Sequence, residues 1–200
     1  MSEPLSSGAE PGAEPGGDAA RGRPLLLTVG HGRLGRQELA ELLRGAGVRL
    51  LVDVRRYPGS RGNPQVARAE LQEWLPAEGV DYRWEERLGG RRRLTAEERS
   101  HSPDGWWRVE QFRAYAGWTR SVEFRTALLE VLDEAGRQRT AVMCSESVWW
   151  RCHRRLVADV ATLAHGAEVR HLMHGGALPE HPVAEGARLT ADGTVIWDGS

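Results

Sequence analysis

The most constraining stretch of this 200-residue chain is a strand–helix–strand pattern near its start. PLLLTVGHG (24–32) is a short apolar run ending in glycines. It reads as a buried strand at about 25–29, followed by a tight loop carrying His31. RQELAELLRGAG (36–47) places Leu39, Leu42 and Leu43 at helical spacing, and Gly45 and Gly47 stop it. VRLLVDVRRYPGSR (48–61) gives a second buried strand, about 49–54, ending in Asp53, Arg55 and a Pro-Gly turn. That order, with short connections, is what a βαβ unit requires.

The rest of the chain extends the pattern. ARAELQEWLPAEG (67–79) reads as a helix and VDYRW (80–84) as a short strand. LGGRRRLT (88–95) is a glycine turn with an arginine cluster, and Thr95 to Gly105 is polar and reads as a loop. VEFRTALLEVLDEAG (122–136) is an amphipathic helix. RTAVMC (139–144) is a third buried strand, SESVWWRCH a crossover loop, and RRLVADVATLAHG (154–166) the helix after it. AEVRHLMHGG (167–176) supplies a fourth strand, and Asp192-Gly193 marks a small C-terminal hairpin. The expected fold is α/β: a single three-layer domain over 24–200, with a mainly parallel central sheet flanked by helices. Residues 1–23, rich in Gly, Pro and acids, bury too little apolar surface to fold and are expected to form a disordered tail.

Composition narrows the function classes only partly. All 27 strongly basic residues are arginine, and the formal net charge is −1. Glu3, Glu10, Glu14 and Asp18 lie in residues 1–20 with no basic side chain, so the remainder carries +3. That is mildly basic and assigns no nucleic-acid partner by itself. Arginine makes forked contacts with phosphate or carboxylate, but an arginine bias with abundant Ala and Gly also fits a GC-rich coding genome. There is no charged-apolar-small leader pattern and no apolar run of eighteen, so a cytoplasmic setting without a membrane partner is expected. Two cysteines make no disulfide framework. In a reducing compartment they are reduced, metal-bound or chemically employed.

Functional groups in open parallel sheets gather beyond the carboxyl ends of the strands. Four such ends carry them here: Gly30-His31-Gly32, Asp53-Val54-Arg55, Cys144-Ser145-Glu146, and His171 to His174. Cys144 leads, because a cysteine between a strand and a helix N-terminus faces unpaired backbone N–H groups. Arg151, Arg154 or Arg55 nearby would favour its thiolate. Its plain alternative is a small buried side chain ending a strand. The candidate catalytic set is Cys144, Glu146, Asp53 and His31, combining a nucleophile with proton movers and orienting groups. Arg55 with Arg154 would clamp a small anionic or nucleotide-like substrate, whereas Asp53 and Arg55 are equally open to a structural ion pair. Glu146 is equally open to capping the following helix.

Two other classes stay open: a metal-binding or structural interaction module, and a nucleic-acid-binding protein or enzyme acting on a modified or damaged base. Cys144, Glu146, Cys152 and His153 are a ligand mixture zinc accepts. However, Cys-x7-Cys-His is not a common structural zinc spacing, and adjacent Cys152 and His153 would diverge if both lay in a helix. No metal is therefore assigned, and zinc or iron remains a candidate cofactor only. Arg91, Arg92 and Arg93, with the tryptophan pairs Trp106–Trp107 and Trp149–Trp150, are weaker candidates for stacking and phosphate contacts with nucleic acid. The same aromatics would also serve a homodimer surface or cover a pocket.

Six separated pieces resemble, in order, the domain-of-unknown-function family numbered 488. They are TVGHG (28–32), LVDVRRYPGSR (51–61), the Tyr82 region, LGG (88–90), FRAYA (112–116) and MCSESVWWRCHR (143–154). The resemblance implies a site of His31, Asp53, Arg55, Ser60, Arg61, Tyr82, Cys144, Glu146, Cys152, His153 and Arg154. In that set Arg55, Ser60, Arg61, Tyr82, Cys152, His153 and Arg154 would contact substrate. The family commonly has serine where this chain has Gly32, so a role needing that hydroxyl is not carried over. More distantly, the order of elements is similar to rhodanese-like domains, which would make Cys144 a sulfur carrier, although the loop here is longer and holds Glu146.

Overall fold

The computed structural model describes residues 22–59 and 62–200. The expected tail, over residues 1–21, and the candidates Ser60 and Arg61 lie outside the described residues.

Five parallel strands form the centre: β1 (Leu25–Gly30), β2 (Leu50–Asp53), β3 (Asp81–Trp84), β4 (Thr140–Cys144) and β5 (Glu168–Leu172). Their order across the sheet is β3-β2-β4-β1-β5. The central strands β1, β2 and β4 are buried almost throughout, which is why they read as unbroken apolar runs. Six helices join them: α1 (Arg36–Gly45), α2 (Arg68–Trp74), α3 (Ala96–His101), α4 (Glu110–Trp118), α5 (Val122–Arg137) and α6 (Arg154–His165). The fold is thus a single α/β domain with a parallel sheet flanked by helices.

Strand alternation divides the core in two. Leu27, Val29, Leu51, Ala141 and Met143 pack with Leu39 and Leu43 of α1 and with Leu71 and Trp74 of α2. Leu26, Val52, Val54, Val142 and Cys144 pack on the other face with Tyr115, Phe124, Leu128 and Leu156 of α4, α5 and α6. A two-stranded antiparallel ribbon, β6 (Ala187–Leu189) and β7 (Val195–Trp197), joins this second layer, and Trp197 is fully buried in it.

The segment from Thr95 to Gly105 is not a plain loop. Thr95 accepts the backbone N–H of Glu98 while Glu98 reaches back to Thr95, a capping box that starts α3. Beyond it, buried Asp104 takes both guanidinium nitrogens of Arg120 and the Trp197 backbone N–H. The helix expected over 67–79 is shorter, ending at Trp74 before a 3₁₀ turn at Pro76–Glu78. Proline fits the first turn of a helix, where its missing N–H is not needed, and so it restarts the chain there.

The edge of β5 is covered. His171 N–H donates to Pro179, and His181 N–H to Val169, so residues 177–181 run back along the strand. This hides an unpaired edge and brings His181 beside His171.

Candidate functional site

The cysteine loop is assembled from both central strand ends. Past the last paired residues Gly30 and Cys144, His31 N–H still donates to Cys144 and Gly32 N–H to Ser145. The β4 end is therefore held over β1. A 3₁₀ turn, Trp149–Arg151, then returns the chain so that Cys152 and His153 stand just before α6, not inside it. Because neither residue lies within a regular helix, their side chains can converge. His153 Nδ1 lies 3.8 Å from Cys144 Sγ and 3.5 Å from Cys152 Sγ. Among the described residues these three form the one His/Cys/Asp/Glu group whose donor atoms could hold a metal ion, all within 4.8 Å of one another.

Both thiols are free, and they are only 8% and 4% exposed. The hydrogen bond to Cys152, reinforced by burial, pushes the Cys144 thiol up. Burial raises Cys152 as well, but the bond from Cys144 and the charge of Arg154 outweigh it and bring Cys152 down to about 6. The two thiols are thus driven in opposite directions, and Cys152 is the one favoured as thiolate. Arg154 Nε donates to Cys152 Sγ at 3.5 Å, and its Nη2 donates to the Glu146 carbonyl. Arg154 is 1% exposed, braces the loop through these bonds, and is not among the residues that line the cavity beside the cysteines.

The cysteines and His153 line a cavity of about 200 Å³. That is below the roughly 300–1,000 Å³ typical of drug-sized ligand pockets. Tyr57, Phe112 and Tyr115 supply apolar wall, and Arg55, Arg56, Arg91 and Arg151 line it together with one carboxylate residue, Glu146. The Glu146 side chain is exposed and turns toward its own loop, 3.5 Å from Ser147 Oγ and from Val148 N. Gly89 and Gly90 shape the opposite rim. A Cβ on Gly90 would meet His153 Nδ1 at 2.8 Å, and one on Gly89 would meet the Arg56 backbone at 2.9 Å. The next residue, Arg91, has φ of 58°, the left-handed region that non-glycine residues seldom adopt.

Asp53, Arg55, His31 and Tyr82 form a second cluster, off the floor of that cavity. Asp53 accepts Arg55 Nε at 2.8 Å, Arg55 Nη2 at 2.5 Å and the Tyr82 hydroxyl at 2.7 Å. Arg55 also donates to Val66 O, and its Nη1 lies 3.3 Å from His31 Nε2. Arginine only donates, so His31 Nε2 accepts and its Nδ1–H goes to Gly32 O. Burial and then the Arg55 charge lower His31 to about 4, leaving it neutral. All four residues lie on the α1/α2 face of the sheet, while Cys144 points to the other face. Only Arg55 borders the cysteine cavity.

The weaker candidates separate. Arg92 lies 3.7 Å over the Trp118 ring and donates to Gly89 O, whereas Arg91 and Arg93 are exposed. They border a larger open groove that shares Arg56, Tyr57 and Arg91 with the cavity. The tryptophan pairs are not free stacking platforms. Trp107 is buried, Trp106 packs against that same core, and Trp149 stacks on His171 with centroids 4.0 Å apart. Only Trp150 is substantially exposed, at 45%. Among the described residues no helix is long and apolar enough to cross a membrane. Arg56, Tyr57 and Tyr115 are cavity residues the sequence reading did not single out. Their signal was adjacency to residues it did, in RRYPGSR and FRAYA.

No curated protein and no solved structure matches the chain. A family model described as "Domain of unknown function DUF488" matches residues 36–161. The span includes β2 to β4, the whole cysteine loop and five of the six sequence pieces, TVGHG (28–32) lying before it, and the family read from them is the one matched. With more than half of its length matched, the chain belongs to the DUF488 family.

Proposed function

We propose that this protein is a thiol-dependent enzyme acting on a small anionic substrate. The observation that carries this reading is the contact of His153 with both cysteine sulfurs in a cavity that four arginines also line. Cys152 is the nucleophile, since Arg154 donates to its sulfur and favours the thiolate. Cys144 keeps its proton and orients the sulfur. His153, in contact with both, moves protons to and from a leaving group. Arg56, Arg91 and Arg151 attract and orient the anion.

Alkylation at limiting iodoacetamide, mapped by mass spectrometry, tests this. Cys152 is expected to react faster than a free thiol at pH 7, and ahead of Cys144. Its rate should be flat above about pH 6 and fall below it, because the reactive form is the deprotonated one. Preferential labelling of Cys144, or neither cysteine exceeding a free thiol, would sink the assignment.

One observation favours a second reading, a zinc site. Tetrahedral zinc with Zn–S of 2.3 Å and Zn–N near 2.05 Å has sulfur–nitrogen edges of about 3.5 Å. The two edges here are 3.8 and 3.5 Å. A bound zinc would leave its fourth position toward the cavity. Elemental analysis of protein purified without chelator separates the readings. The thiolate reading expects no stoichiometric zinc and immediate alkylation. The zinc reading expects one ion per chain and cysteines that label only after chelation.

A further inference from the structure

We propose that Thr28, His171, His181 and Asp159 form a buried positioning relay, which sets the place of Arg154 and Trp149 and through them the Cys152 sulfur. The proposal rests on the thiolate reading for its consequence at Cys152, but the relay itself stands on geometry.

All four side chains are buried, as is Arg154. Arg154 Nη1 is 3.5 Å from Thr28 Oγ1, and Thr28 Oγ1 is 2.7 Å from His171 Nδ1. His171 Nε2 is 3.0 Å from His181 Nδ1, and His181 Nε2 is 2.8 Å from Asp159 Oδ1. The chain thus joins two oppositely charged groups through one hydroxyl and two imidazoles. Its ends fix its direction. A guanidinium only donates and a carboxylate only accepts. With neutral rings, His181 must donate from Nε2 and accept at Nδ1. His171 must then do the same, and the Thr28 hydroxyl must donate to His171. Every link is satisfied in that one arrangement. Burial, with His181 and Arg154 nearby, holds His171 in its neutral form.

Asp159 is itself pinned by the C-terminal segment. Its Oδ1 also takes the Ala184 N–H at 2.9 Å, and its Oδ2 takes Trp197 Nε1 at 2.9 Å. At the other end the relay meets the cysteine loop twice. Arg154 reaches Cys152 Sγ and the Glu146 carbonyl. Trp149 lies flat on His171, with 6° between the rings. A fully satisfied buried network of this kind rigidifies what it touches. None of the four residues reaches the cavity, so they act through Arg154 and Trp149 as positioning residues.

Two measurements test this. Nitrogen-15 NMR of wild-type protein should show both His171 and His181 protonated at Nε2. A proton on His171 Nδ1 would reverse the chain, leave the Thr28 hydroxyl without an acceptor, and overturn the relay. The second measurement compares Cys152 alkylation at neutral pH in wild type, Thr28→Val and Thr28→Ser, with circular dichroism confirming each fold. Thr28→Val is expected to react about tenfold more slowly, the low end of what losing an orienting partner costs a reactive centre. Thr28→Ser, which keeps the hydroxyl, should restore the rate. A purely structural Thr28 would lower the melting temperature and leave the folded-state rate unchanged, and that result overturns the proposal. If wild-type Cys152 reacts no faster than a free thiol, the thiolate reading and the consequence at Cys152 fall together, whereas the nitrogen shifts still decide the relay.

Discussion

Asp53→Ala is expected to destabilise the protein by about 3–5 kcal/mol, the usual loss when one partner of a buried ion pair is removed. The cause is what remains behind. The Arg55 side chain is 4% exposed, and among the described residues Asp53 is its one carboxylate partner. Alanine would strand that guanidinium in the interior and leave the Tyr82 hydroxyl without its acceptor. For a domain with total stability near 5–15 kcal/mol this is a large share. In a chain of this size it corresponds to a melting-temperature fall of roughly 6–20 °C. Urea denaturation checks it, with a lower midpoint and an unchanged slope. A loss under about 1 kcal/mol would mean that Asp53 is not the keystone of its cluster. The same experiment separates structure from catalysis. If Asp53 served mainly as a proton mover, its removal would spare stability.

Gly30→Ala has the largest expected effect on the site itself. The added Cβ would fall 1.8 Å from the Glu146 carbonyl oxygen and 2.7 Å from Arg154 Nη2. The nearer obstacle is backbone, not the end of a flexible side chain. Gly30 pairs with Cys144, and the loop after Cys144 crosses directly over it. The methyl must therefore lift residues 145–147 and break the Arg154–Glu146 bond. Ordinary overpacking costs about 1–3 kcal/mol, and this contact should reach or exceed the top of that range. The variant that folds should show Cys152 released from Arg154, with alkylation falling toward that of a free thiol. Gly136→Ala, where the added methyl meets nothing within 4 Å, is the control. Wild-type stability and wild-type alkylation in Gly30→Ala would refute the described loop path.

The sheet was legible because its central strands are buried on both faces and so appear as LLLTVG, LLVD and TAVMC. The lateral order was not, since β4 inserts between β1 and β2 and nothing local in β4 records its neighbours. The α3 helix was missed although Thr95 and Glu98 spell a capping box, because its residues are polar throughout and give no apolar period. At the site, four strand ends were correctly gathered on one edge. What escaped was parity. His31, Asp53 and Arg55 continue the face of Val29 and Leu51, whereas Cys144 follows Val142 on the opposite face. One edge therefore holds two clusters. Cys152 and His153 were read at the end of the crossover loop, but the 3₁₀ turn that precedes them and the stacking of Trp149 on His171 leave no local pattern. Thr28 and Asp159 did carry a signal, Thr28 as the lone polar residue of LLLTVG and Asp159 as a charge set between Val157-Ala158 and Val160-Ala161.

The strand order also governs when the molecule can be assembled. The first strand to leave the ribosome, β1, ends between β4 and β5, each more than a hundred residues later in the chain. It has no partner in the sheet until β4 has been made, and β2 cannot serve, because β4 lies between them. The N-terminal half must therefore wait with its most apolar strand uncovered. Such long-range pairing slows folding and favours aggregation while it waits. The matched span 36–161 omits both β1 and β5. A fragment trimmed to that span would keep the cysteine loop and lose the strand on which the loop rests.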